Sequence, residues 1–334
     1  MSNTEPRSIL EKFYEQQTTD AMMKNIQDTG YCYLRLIPMS HLIMICAPGN
    51  TGKTAFAIHA SAEMVRAGFE VMYINADASA PDLKFYHNHA MANGYRLIAP
   101  DLNNLSSEGV VKILEEMAKS NEDFNYLVIV IDTIKKFVDV IGKNKVKGFL
   151  KTLRALTAKG VTVICLGHTN KHQDNAGKLV FEGTGDIRND VDELYYLVSE
   201  KIDGGLRVST DMDKCRAEVK DITFTINGKD RIIQIIPYED IKLKKALSDQ
   251  LAKDQPMINF IKKSLMIKER SPTELEAVAK TMGNGFTRRN IDKVLRAYSS
   301  GDAPLWIATK APKNGLIYSL ISAEASAHLQ SCEV

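Results

Sequence analysis

The chain has one tryptophan, Trp306, among its 334 residues, and only five cysteines. Cys32, Cys46, Cys165, Cys215 and Cys332 form no C-x-x-C pair, and no His/Cys cluster has zinc spacing. The commonest dithiol and structural-zinc classes are thereby excluded. Cys46 and Cys165 sit inside apolar runs and read as small buried hydrophobes, which suits a reducing, cytoplasmic setting. No apolar run approaches the ~20 residues a membrane span requires. The opening MSNTEPRSILEKF lacks the apolar centre of a signal peptide. Charge of one sign is also scarce: 43 Lys and Arg face 41 Asp and Glu, a net charge of +2. Any basic surface for nucleic acid must therefore be local. Internal repeats and low-complexity tracts are absent. What is present, 44% hydrophobic and 25% charged residues, is ordinary for a globular chain with room for one large domain and one small one.

Loosely spaced apolar residues (Ile9, Leu10, Phe13, Met22, Met23, Ile26) predict an N-terminal helix over about 4–28. From Tyr31 to Pro237, apolar runs alternate with amphipathic stretches. The runs are HLIMICA (41–47), EVMYINA (70–76), YLVIVID (126–132), VTVICLG (161–167) and ELYYLV (193–198). Helices are predicted near 53–67, 107–119 and 146–159. Near-continuous apolar strands separated by helices imply a parallel sheet covered on both faces. LRVSTDM (206–212) and the pair 221–227 and 230–236 look antiparallel, with Asn227-Gly228 predicting a two-residue hairpin. Lysine-rich 241–254 reads as a helical linker. Beyond it, one helix is predicted over 255–268. Ser271, Pro272 and Glu274 signal the start of a second, and Thr287 that of a third. A hairpin follows around Lys310–Asn314. Three helices and a hairpin make a winged-helix pattern.

Ala47-Pro48-Gly49-Asn50-Thr51-Gly52-Lys53-Thr54 follows a strand and opens a helix, the context a phosphate loop requires. Glycines let the backbone N–H groups curl inward around an anion, and the helix terminus favours negative charge. Lys53 suits the β- and γ-phosphates of ATP, and the Thr54 hydroxyl suits Mg²⁺. Ala47 stands where the strict pattern has glycine. Asp132, at the carboxyl end of its strand, is placed to hold the same Mg²⁺. His168 ends another strand, where a polar group can sense the γ-phosphate; a buried structural histidine is the alternative.

With these motifs in this order, residues 30–237 resemble the RecA-like ATPase cores of hexameric replicative helicases, most closely the RepA-type plasmid replication helicases and more distantly DnaB. The fold class implied is α/β: a RecA-like P-loop NTPase core with antiparallel C-terminal strands, plus a small winged-helix domain. The expected divisions are 1–29, 30–240, 241–254, 255–322 and a tail at 323–334. The resemblance implies that Asp77, after the strand that follows the phosphate-loop helix, orients the attacking water. The family more often has glutamate there. It also implies that Lys214 and Arg216 reach the γ-phosphate of a neighbouring subunit, so the active state is a homo-oligomer, as in a hexamer. Single-stranded DNA is expected in a central channel, near Lys171, His172 and Lys178 or near Lys143, Lys145 and Lys147. Arg288 and Arg289 open the third C-terminal helix and suit duplex contacts; docking of a protein is the alternative. The implied activity is an ATP-hydrolysing DNA helicase or translocase of a plasmid, phage or mobile element. A recombination or strand-annealing ATPase, or a DNA-binding regulatory ATPase, are the other readings.

Overall fold

The computed structural model describes residues 30–102, 104–137, 143–169, 185–228, 230–301, 303–311 and 315–321, together with residues 11, 14 and 17–20. Most of the expected N-terminal helix and the candidate DNA-contact residues Lys171, His172 and Lys178 fall outside these. The chain divides into two compact units, Met1–Lys242 and Leu243–Val334.

The first unit is built on a nine-stranded sheet. In chain order its members are β3 (Leu42–Ala47), α1 (Lys53–Arg66), β4 (Glu70–Asn75), α2 (Ala80–Asn93), β5 (Arg96–Ile98), α3 (Ser107–Lys119) and β6 (Leu127–Asp132). Then come α4 (Lys143–Thr157), β7 (Thr162–His168), α5 (Gly185–Asp190), β8 (Glu193–Ile202), β9 (Gly205–Lys214), β10 (Thr223–Asn227) and β11 (Ile233–Ile236). A separate short pair, β1 (Tyr31–Tyr33) and β2 (Ile37–Pro38), precedes them. The sheet order is β11-β10-β9-β8-β3-β7-β6-β4-β5. Strands β8 to β5 in that order are mutually parallel, and β9, β10 and β11 extend the sheet antiparallel.

The apolar runs are continuous because each strand is covered on both faces. Along β3, Ile43, Ile45 and Ala47 join one core with Phe56 and Met64 of α1, while Leu42, Met44 and Cys46 join another with Leu114 of α3 and Leu153 of α4. Period-two alternation thus divides one strand between two cores. Phe56 stacks on Phe224 with ring centroids 5.1 Å apart, tying the phosphate-loop helix to the antiparallel strands.

Two sequence expectations change. Helix α2 lacks the periodic apolar stripe that predicts a helix; only Tyr86 and Ala90 are buried on it. Asn227-Gly228 does not make a two-residue hairpin: Asn227 N donates to Ile232 O at 2.9 Å, leaving residues 228–231 as the loop, with Arg231 at φ 55°. Gly228 N is instead drawn to Gly204 O, at 2.9 Å. The two-residue turn lies at Asp203-Gly204, between the paired Ile202 and Gly205, with Gly204 at φ 74°.

The second unit packs the long helix α6 (Ile241–Ile267), α7 (Pro272–Thr281), α8 (Arg288–Ala297) and the hairpin β12 (Trp306–Ala311) and β13 (Gly315–Leu320). Segment 241–254 and the helix expected from 255 are one helix, continuing through Pro256. Ile261, Leu275, Ile291, Leu295, Trp306 and Tyr318 form its core. The fully buried Trp306 donates Nε1–H to Leu295 O at 2.7 Å, which joins hairpin to α8. Ser271 and Glu274 form a reciprocal capping box on α7, and the Thr287 hydroxyl accepts from Asn290 N at the start of α8.

Candidate nucleotide site

Each functional side chain of the first unit is delivered by the carboxyl end of a parallel strand, where open α/β sheets bind ligands. Residues 48–54 turn out of β3 into α1, with Asn50 at φ 60° and Gly52 at φ 92°. At Gly52 a Cβ would lie 2.1 Å from Ile226 Cδ1, so β10 closes one side of the loop against any larger residue. The loop borders a cleft of about 690 Å³ whose lining includes Lys53, Thr54, Asp77, Asp132, His168 and Arg231.

Asp132 lies at the centre, with 2% of its surface exposed. Its Oδ2 accepts from Thr54 Oγ1 at 2.9 Å, Tyr73 OH at 2.8 Å and Asn75 Nδ2 at 3.4 Å. Burial raises its pKa above the ordinary value, opposed by the Lys53 charge and the hydroxyl donors. Lys53 is 7% exposed, and burial lowers its pKa, opposed by Asp132. Both charges therefore sit in a site that disfavours charge and that a bound polyanion and cation would complement. A hydroxyl beside a carboxylate is a hard-oxygen donor pair, the chemistry Mg²⁺ selects, so Thr54 and Asp132 fit that ion.

Asp77 follows β4 and is 39% exposed at its side chain. Its Oδ1 lies 3.3 Å from Lys136 Nζ, and its Oδ2 lies 3.9 Å from His168 Nε2. Asn75 Oδ1 accepts from the N–H of Asp77 and of Ala78, at 3.1 and 2.9 Å, fixing the backbone beneath it. His168 is half-buried at the end of β7 and lines the cleft.

Lys214 and Arg216 lie elsewhere. Lys214 pairs with Leu194, which pairs with Met44, at the amino end of the parallel strands. Along β3 this end is roughly 15 Å from the phosphate loop, at ~3.3 Å per residue. Lys214 Nζ donates to the carbonyls of Arg188, Asn189 and Val191 at 2.6–2.9 Å, capping the carboxyl end of α5. Arg216 Nη1 donates to Asp192 Oδ1 at 2.6 Å, while its main-chain N–H meets the Glu193 carboxylate. Asp192 also receives Arg154 Nη1 at 2.5 Å and Leu42 N at 2.9 Å, and Glu193 pairs with His41 at 2.9 Å. Hydrogen bonds and the guanidinium charge of Arg154 hold the Asp192 carboxyl below its ordinary range, despite burial, which acts the other way.

Of the remaining candidates, Lys143 and Lys145 fall in the first turn of α4, and Lys147 is exposed on it. Arg288 and Arg289 are exposed at the start of α8 in the second unit. Sequence reasoning missed Tyr73, Asn75 and Lys136. It also missed Arg231, which reaches Asp82 Oδ1 at 3.1 Å and Tyr86 OH at 3.2 Å and lies 4.9 Å from the Phe85 ring centroid. No sequence motif marks these four; adjacency to Asp132 and the carboxyl end of β4 was the available signal for the first three.

Residues 12–174 match the family model described as an AAA domain. Among solved structures, the chain is similar to the flagellar accessory protein FlaH of Methanocaldococcus jannaschii. Identity is 16% over 60% of this chain and 92% of that one, with a TM-score of 0.42. It is also similar to the ATPase domain of a DnaB-like helicase, at 13% identity over 70% of this chain and 100% of that one, with a TM-score of 0.45. Among curated proteins none matches the sequence. Among the described residues no helix is long and apolar enough to cross a membrane.

Proposed function

We propose, from the premise that the chain carries a RecA-like P-loop ATPase domain, that it is an oligomeric ATP-driven motor on DNA, a helicase or translocase of a plasmid, phage or mobile element. The observation that carries the ATPase chemistry is the Thr54–Asp132 contact at the mouth of the phosphate loop, beside the buried Lys53. In this reading the N–H groups of residues 49–54 bind the triphosphate, and Lys53 supplies a cation for charge on the β- and γ-phosphates. Thr54 and Asp132 hold Mg²⁺, which neutralises phosphate charge. Tyr73 and Asn75 orient the Asp132 carboxylate. Asp77 positions the attacking water, and His168 reads the state of the γ-phosphate. Arg216 of one subunit completes the site of the next, with Lys214 shaping the same edge.

The motor part of the reading rests on the family resemblance and on the lysines of the 135–147 segment. The second unit, with its three helices and a hairpin, supports a winged-helix role in which Arg288 and Arg289 meet DNA phosphates. The test is ATP hydrolysis with and without single-stranded DNA, together with strand displacement on a forked duplex. Lys53→Ala is expected to lower turnover at least ~100-fold; wild-type turnover in that variant removes the central assignment. ATP hydrolysis without strand displacement would favour the recombination or regulatory readings.

A further inference from the structure

The water-positioning acid is already engaged. Lys136 Nζ lies 3.3 Å from Asp77 Oδ1, and the other carboxylate oxygen faces His168 at 3.9 Å. Below the carboxylate the backbone is fixed, because the N–H groups of Asp77 and Ala78 both donate to Asn75. The side chain is therefore the part free to swing. On the other side, Lys136 rises from a one-turn helix, Ile134–Lys136, whose base is buried: Thr133 and Ile134 are 2% and 1% exposed. That turn follows Asp132 directly. The lysine itself is half-exposed, at 51%. It also belongs to the run Lys135, Lys136, Lys143, Lys145 and Lys147, a basic stretch of the kind that meets nucleic-acid phosphate.

We propose that Lys136 is a positioning residue that restrains Asp77 until a nucleic-acid backbone draws the lysine away. The inference rests on the reading of Asp77 as the water-positioning group. One torsion carries both carboxylate oxygens together, so an aspartate held by Lys136 cannot also turn freely toward a water at the γ-phosphate. Aspartate is one methylene shorter than the glutamate usual in this role, which narrows its reach further. The restraint is weak by construction, because an ion pair between two partly exposed groups is screened by solvent and salt. A row of phosphates competes for the lysine with many charges, whereas Asp77 offers one. Binding on the basic segment is thereby converted into release of the acid, with no change required elsewhere in the fold.

The experiment uses the full chain, with single-stranded oligonucleotide as the probe. Lys136→Met is expected to raise hydrolysis in the absence of oligonucleotide by up to about fivefold, the factor a surface ion pair can hold back. KM for ATP should be unchanged, and added oligonucleotide should stimulate the variant little. Lys136→Arg keeps the pair and is expected to restore the low basal rate and the stimulation. A basal rate in Lys136→Met at or below that of the wild type overturns the proposal, as does full stimulation of that variant. A wild-type rate indifferent to oligonucleotide overturns the release step. Asp77→Asn separates the two levels: loss of hydrolysis with and without oligonucleotide keeps the underlying reading, and retained hydrolysis removes it and the proposal together.

Discussion

At the scale of single residues, Gly52 shows how little freedom the phosphate loop has. Its φ of 92° and the 2.1 Å approach to Ile226 leave no space for a side chain. Gly52→Ala is expected to cost about 1–3 kcal/mol in stability and to weaken nucleotide binding, measured by thermal unfolding with and without ATP. Asp192 gives a pH-dependent case. Its native pKa lies below the ordinary 3.8, so the stability it contributes is present above that pH and is lost as pH falls through the native value. Asp192→Asn, which loses the ionic partners Arg154 and Arg216, is expected to cost about 2–3 kcal/mol at neutral pH. The gap between variant and wild type should close as pH falls below 3.8, as urea titrations at several pH values would show. The phosphate loop and Asp132 were legible because spacing and strand position encode them. Tyr73 and Arg231 were not, since one is an ordinary strand residue and the other reaches the cleft through a loop whose path depends on Gly204.

Elements were legible wherever packing imposes a period. Strands β3, β4, β6 and β7 follow apolar runs because both faces are covered. Helix α2 was missed because burial of Tyr86 and Ala90 writes no stripe into APDLKFYHNHAMAN. Two Gly-containing dipeptides competed to be turns, and the sheet decided between them: Asp203-Gly204 turns the chain, while Gly228 docks on that turn. In the second unit, local chemistry sufficed for α7, whose capping box is made by the residues that signal it. Ser271→Ala is expected to destabilise that unit by ~1 kcal/mol. Trp306→Phe removes the bond to Leu295 O and part of a fully buried side chain, and should cost about 2–3 kcal/mol. Tryptophan fluorescence is lost in that variant, so circular dichroism on heating is the measurement for both.

For the whole molecule, the decisive arrangement is that the phosphate loop and the Lys214–Arg216 segment occupy opposite ends of the same parallel strands. Within one chain Arg216 is bound to Asp192 and lies outside the cleft. Arg154 remains on Asp192 if Arg216 leaves, so Arg216→Ala should lose under ~1 kcal/mol of stability. It is expected to bind ATP normally and to lose most hydrolysis. Mixing it with Lys53→Ala should restore part of the activity, and the absence of rescue at every ratio would remove the proposed contact between subunits.

A protomer built this way has a donor end and an acceptor end, so two copies that satisfy each other's chemistry join head to tail and leave one end of each kind open. Such a contact is heterologous, and only a closed circle of copies leaves no acceptor unserved. In a mixed ring, damage would then propagate in one direction around the circle.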